Sequence, residues 1–224
     1  MARRVSPTIL IGAVALLVGA AAAAAIGWRA SRSTIEAGVW WDDASFALME
    51  GDAVKIGGPL TPEELTRIRQ ICREEVARAY EGLRIRVTNR RDAFWRVVIV
   101  ATPIKIQRNN RTTYPFSAAG ESHTFGPLGG WGSVSFMMLA HNAIEYAPPD
   151  ASRRTVVDGI GRGIGRAVVH ELAHQMLGTD NLRHIDNHTD EHSYEYWNAD
   201  RRAQYYGDIR WTTARPVLEA KFGQ

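Results

Sequence analysis

Cysteine is almost missing from this chain: of 224 residues only Cys72 is one. No intramolecular disulfide forms from a single thiol, and a structural zinc site built on several thiolates is excluded. Cys72 falls beside Ile68 and Ile71 in a helical pattern, where a small buried hydrophobe is the plain reading. Lysine is also scarce, occurring only at 55, 105 and 221. The positive charge is therefore nearly all arginine, and it is scattered among acids to a net of +3 rather than gathered into a stripe. That distribution argues against a nucleic-acid partner. Internal repeats are absent, and the glycines of "DGIGRGIGR" lack both the G-x-G-x-x-G spacing and the preceding strand of a dinucleotide-binding turn.

Charge is wholly absent from Thr8 to Trp28, "TILIGAVALLVGAAAAAAIGW", after Arg3 and Arg4. About 20 apolar residues match the hydrocarbon core crossed by a helix. Residues 1–30 are thus expected to be a membrane anchor, with residues 8–27 in the bilayer, or a signal peptide cleaved at the alanine string. Either way the arginines stay inside and the remainder lies beyond the cytoplasmic membrane, single-pass or secreted. Residues 31–60 read as a linker and lead-in, and residues 61–224 as one domain; the 45% apolar content of the whole chain suffices for one sizeable core.

Within that domain, "TPEELTRIRQICREEVARAYEG" predicts a helix over 61–81. Thr61 caps it, Pro62 opens the first turn, Glu64 closes a capping box and Gly82 ends it. "LRIRVT" alternates as a half-buried strand does, and "FWRVVIVATPIKI" is β-branched enough for a central strand. Residues 107–132 carry Asn, Gly, Ser and Pro without periodicity and read as a long functional loop. "WGSVSFMML" reads as a further strand, and Arg153 to about Leu177 as a helix. Its glycines either let a neighbour approach or mark a break.

That helix carries "VVHELAHQMLG". His170 and His174 are four apart and share a face, so two imidazoles point at one metal ion. Glu171 projects about 100° around the helix from His170, close enough to serve a metal-bound water without ligating. In this H-E-x-x-H arrangement zinc lowers the pKa of the water and the glutamate takes its proton. Zn2+ is the expected cofactor, since imidazole ligands and hydrolytic chemistry both favour it.

"VVHELAHQMLG" resembles the zincin metallopeptidases, and the glycine turn with ligands just beyond it resembles their metzincin branch. The departures are specific. Gly178 comes one residue late, Asp180 stands at the third-ligand position, and no methionine follows Met176 for a methionine turn. Four residues compete to complete the site: His184, which leads as an imidazole brought back by the turn; Asp180, at the metzincin position; Glu195, near the gluzincin spacing; and His188. Tyr194 or Tyr196 stands as an oxyanion donor or as a packed aromatic, the latter being the simpler reading. His123 and His141 lie far from the motif and are poor ligand candidates.

The resemblance implies an α+β zincin-like fold, with a twisted mixed sheet from residues 83–139 packed on helices that include the H-E-x-x-H helix. It also implies an edge strand that adds an extended peptide, for which "WGSVSFMML" is the leading candidate and "LRIRVT" the other. The implied function is a zinc metallopeptidase of the bacterial cell envelope. Two alternatives stay open: an inactive zincin-fold binding domain, and a zinc hydrolase acting on a non-protein amide.

Overall fold

The computed structural model describes residues 34–108, 112–125, 129–178, 201–209 and 214–223. The chain divides into two units, residues 1–35 and 36–224. The elements below are those of the second, β1 beginning at Ile35. The expected membrane segment at 8–27 lies outside the described residues. No helix among the described residues is long and apolar enough to cross a membrane.

A five-stranded mixed sheet forms the frame. β1 (Ile35–Trp41), β3 (Trp95–Val100) and β7 (Gly130–Ser135) run parallel. β2 (Ile85–Thr88) closes one side, and β6 (Gly120–Thr124) closes the other, antiparallel to β7, in the order β2-β1-β3-β7-β6. β4 (Ile104–Arg108) and β5 (Thr112–Ala118) form a separate antiparallel pair. β3 alternates with Val97 and Ile99 fully buried, as a strand at the centre of the sheet requires.

Several expectations need correcting. The segment taken as lead-in contributes β1, a member of the sheet, and α1 (Glu50–Lys55). "FWRVVIVATPIKI" is two strands, because Pro103 donates no hydrogen bond and restricts the residue before it. The stretch 107–132 is not one long loop but contains β5 and β6. Pro115 is accommodated there because each strand of a two-stranded sheet is an edge. "WGSVSFMML" supplies β7, an interior strand between β3 and β6, and then turns into α3 (Phe136–Glu145). Ser135 makes the switch: its Oγ accepts from the Met138 backbone N–H and caps the helix. The edge strand beside the motif helix is therefore β6, whose sequence "GESHT" contains no apolar residue to betray it.

The helices follow their caps. α2 (Pro62–Ala79) begins with the expected capping box, the Thr61 N–H reaching Glu64 Oε2 at 2.9 Å and the Glu64 N–H reaching Thr61 Oγ1 at 3.2 Å. Ile68, Cys72, Val76 and Ala79 are buried along one face. Burial pushes the Cys72 thiol up to about 12, so it packs as a hydrophobe. α4 (Arg153–Leu177) starts at Ser152 and ends at Gly178, left-handed with φ of 68°. α5 (Arg201–Tyr206) and α6 (Ala214–Phe222) complete the chain. From α6, Arg215 donates to the Ala79 and Glu81 carbonyls at the end of α2, and Lys221 Nζ to the Met176 carbonyl at the end of α4.

α4 packs on β3, β7 and β6 and along its flank on α2. The glycine run does not break it; it contains two close-packing faces. A Cβ on Gly161 or Gly165 would lie 2.8 Å from Ile71 or Glu75 of α2, and at Gly165 also 2.9 Å from the Cys72 carbonyl oxygen. A Cβ on Gly159 or Gly163 would lie 2.6 or 2.2 Å from the rings of Tyr206 or Tyr205 of α5. Gly165→Ala is therefore expected to destabilise the fold by about 1–3 kcal/mol through overpacking against backbone. Gly51→Ala, in α1 with open space around it, should instead gain about 0.5–1 kcal/mol from helix propensity. Thermal unfolding of the two variants checks both signs; equal effects would refute the packing assignment.

Candidate metal centre

The last two turns of α4 bring His170, Glu171 and His174 into the interior, each 5% exposed. The two imidazoles stand nearly perpendicular, at 86°, with their Nε2 atoms 3.0 Å apart. Two ring nitrogens within hydrogen-bonding distance of each other are also close enough to reach a single ion. Among the described residues no third His, Cys, Asp or Glu joins them within 4.8 Å. Glu171 thus stands beside the pair rather than in it.

Glu171 is turned toward the edge of the sheet, and the strand makes room for it. A Cβ on Gly120 would lie 2.3 Å from Glu171 Oε1, so only glycine admits the carboxylate at that point of β6. Ser122 Oγ donates to the Glu171 carbonyl at 2.9 Å and fastens the strand to the helix. Burial pushes the Glu171 carboxyl up to about 8; the Ser122 hydroxyl opposes that shift and the Glu121 charge adds to it. A carboxyl held in that range is suited to taking a proton near neutral pH.

Gln175 sets the depth and rotation of the helix. Its side-chain amide accepts from the Arg96 N–H at 3.0 Å and donates to the Arg96 carbonyl at 3.1 Å, pairing with β3 as a strand would. It also reaches Ser122 Oγ at 3.3 Å. The space comes from β7, where a Cβ on Gly130 would meet Gln175 Cγ at 2.6 Å and one on Gly132 would meet its Nε2 at 3.0 Å. From the other flank, Tyr80, the C-cap of α2, donates to the Val169 carbonyl at 2.9 Å. One turn earlier Arg166 pairs with Glu75 at 2.9 Å and donates to the Ala203, Gln204 and Gly207 carbonyls, tying α5 to the motif helix.

His184, Asp180, Glu195 and His188, together with Tyr194 and Tyr196, lie outside the described residues. His123 stacks on Trp131 at 4.3 Å, on the strand face opposite the one Ser122 turns to α4. His141 pairs with Asp52 at 3.0 Å, and these two with Glu145 form a group of three with ligand geometry. Lys55 already stands there, its ammonium on Glu145 and 3.9 Å from Asp52, so the cluster reads as an ion-paired bridge between α1 and α3. Gly120, Ser122, Gly130, Gly132 and Gln175 were not singled out from sequence. The glycines that alternate around Trp131 were the available signal, since glycine inside a strand marks close approach of another group.

No family model, no curated protein and no solved structure matches this chain.

The raised Glu171 carboxyl has a measurable consequence. Its folded value of about 8 lies above the ordinary 4.5, so the native state binds the proton more tightly than the unfolded chain does. The stability this contributes is complete below about pH 4.5 and is lost as pH rises through about 8. Urea unfolding of metal-free protein should show that loss, and Glu171→Gln should flatten it. An unchanged slope in the variant would place the titration elsewhere.

Proposed function

We propose that this chain is a zinc-dependent metallopeptidase of the bacterial cell envelope with a zincin-like α+β domain. The observation that carries the reading is the convergence of His170 and His174 Nε2, 3.0 Å apart, with Glu171 buried between that pair and an antiparallel edge strand. The donor set fits zinc: two imidazoles from one helix face, with His184 the first candidate for the third ligand and Asp180, Glu195 and His188 the others. Zinc when bound would supply Lewis acidity toward the scissile carbonyl and lower the pKa of water.

This chain's own residues do the rest. β6 is hydrogen-bonded to β7 on one side and stands last in the sheet order, so its outer rim is suited to pair with an extended peptide. A substrate lying there would bring a peptide carbonyl past Glu171, which sits directly over Gly120. Glu171 takes a proton from the attacking water and returns it to the leaving amine, consistent with a carboxyl raised by burial. Residues 8–27 would hold the domain at the outer face of the membrane, or send it out if cleaved.

Glu171→Gln tests the reading, because it keeps shape and removes the base. Wild-type protein loaded with zinc should cleave members of a broad peptide library, and the variant should lose at least about 10²-fold while keeping its metal. Cleavage unaffected by the substitution would contradict the assignment. A wild type that cleaves no peptide would favour the binding-domain alternative.

A further inference from the structure

A second site lies away from the histidines, where α2 meets the end of the sheet formed by β1 and β2. A groove of about 570 Å³ opens there between Trp40 and Trp41 of β1, Val87 of β2, and Arg69, Arg73 and Val76 of α2. Arg91, on the turn after β2, stands at the same groove. No residue of α4 lines it, so it is separate from the candidate metal centre.

Its charge is unbalanced. Elsewhere on α2, Arg67 is bound to Asp158 and Arg78 to Glu75. Among the described residues, Arg69 and Arg73 meet no carboxylate. Arg69 lies instead over aromatic rings, its Cζ 5.2 Å from the centre of Trp41 and 5.7 Å from that of Phe46. These cation–π contacts hold the guanidinium beside the rings without using its N–H donors. Arg73 follows one helical turn later on the same face, so two positive charges sit side by side. Arg91 adds a third, offset only by an exposed pairing with Asp43 at 3.0 Å. The rest of the lining is mainly tryptophan and valine, with the polar Thr88 and Asn89 at one side. A cationic mouth over an apolar, aromatic floor is complementary to a molecule with one anionic end and a flat apolar body.

We propose that this groove binds a small amphipathic organic anion, its carboxylate or phosphate held by Arg69 and Arg73 and its apolar body resting on Val39, Trp41 and Val87, which share one face of the sheet. The two guanidiniums supply paired N–H donors that suit either head group, and the volume suits a body of one or two rings or a short acyl chain. The site does not depend on zinc or on Glu171.

Isothermal titration of the full-length protein with 1-naphthyl phosphate, 1-naphthoate and uncharged 1-naphthol tests this directly. At least one anion should bind saturably at one site per chain, at least about tenfold more tightly than naphthol, as one charge-assisted bidentate contact warrants. The tighter of the two anions identifies the head group. Arg69→Gln combined with Arg73→Gln should weaken that binding at least about tenfold. Both side chains are exposed, so the melting temperature should fall only slightly, by the loss of the Arg69–Trp41 contact. Arg73→Glu alone, which reverses one charge and leaves the Arg69–Trp41 stack, should cause the same loss and decides the matter should the double variant not fold. The proposal is overturned if neither anion binds saturably, if naphthol binds as well as the anions, or if the substitutions leave binding unchanged.

Discussion

The close approach of α4 to everything around it is the constraint on which the rest of the structure depends. A helix sunk between a sheet, α2 and α5, and buried from residue 159 to 176 except at Arg162, has little room for bulk. The spacing is set by glycines on one partner of each contact. Gly161 and Gly165 admit α2, Gly159 and Gly163 admit the tyrosines of α5, and Gly120, Gly130 and Gly132 of the sheet admit Glu171 and Gln175. Glycine in a helix interior costs about 1 kcal/mol relative to alanine. Four in one helix is a cost that packing along three neighbours must offset, and their location upstream of the histidines keeps the last two turns free of it.

Polar contacts then fix what close packing alone leaves loose. A helix pressed on a sheet by apolar contact can rotate or slide; one whose glutamine pairs with both backbone groups of Arg96 cannot. Gln175 follows His174 directly, so the rotation it imposes is also the rotation of the face that carries the two histidines. Arg166 does the same toward α5. Its pair with Glu75 is buried on both sides, at 5% and 3% exposure, and its remaining donors go to three carbonyls. Removing either partner would strand a charge in the interior, at about 3–5 kcal/mol. The chain that leaves α4 at Gly178 and returns at α5 is thereby anchored at its return to the helix that carries the histidines.

Much of this was legible in the sequence wherever a local rule had one physical cause. The capping box at Thr61 and Glu64, the buried Cys72, the span of α4 and the shared face of His170 and His174 all follow from interactions within a few residues. What was not legible depended on partners distant in the chain. β6 has no apolar residue because its inward positions hold Gly120 and Ser122, chosen for what α4 brings to them. The apolar run ending in "FMML" looked like one strand because nothing in its hydropathy marks Ser135 as a cap. Gln175 carries no local signal of its role, because its partners Arg96, Gly130 and Gly132 lie far off in the chain.

The central claim is that His170 and His174 hold one metal ion. Metal analysis of the purified full-length protein, with anomalous diffraction at the zinc edge, tests it most directly. One zinc per chain, with density between the two Nε2 atoms and loss of the metal in His170→Ala and in His174→Ala, is the predicted result. Full zinc occupancy in the double alanine variant, or an ion seated at Asp52, His141 and Glu145 instead, would contradict it.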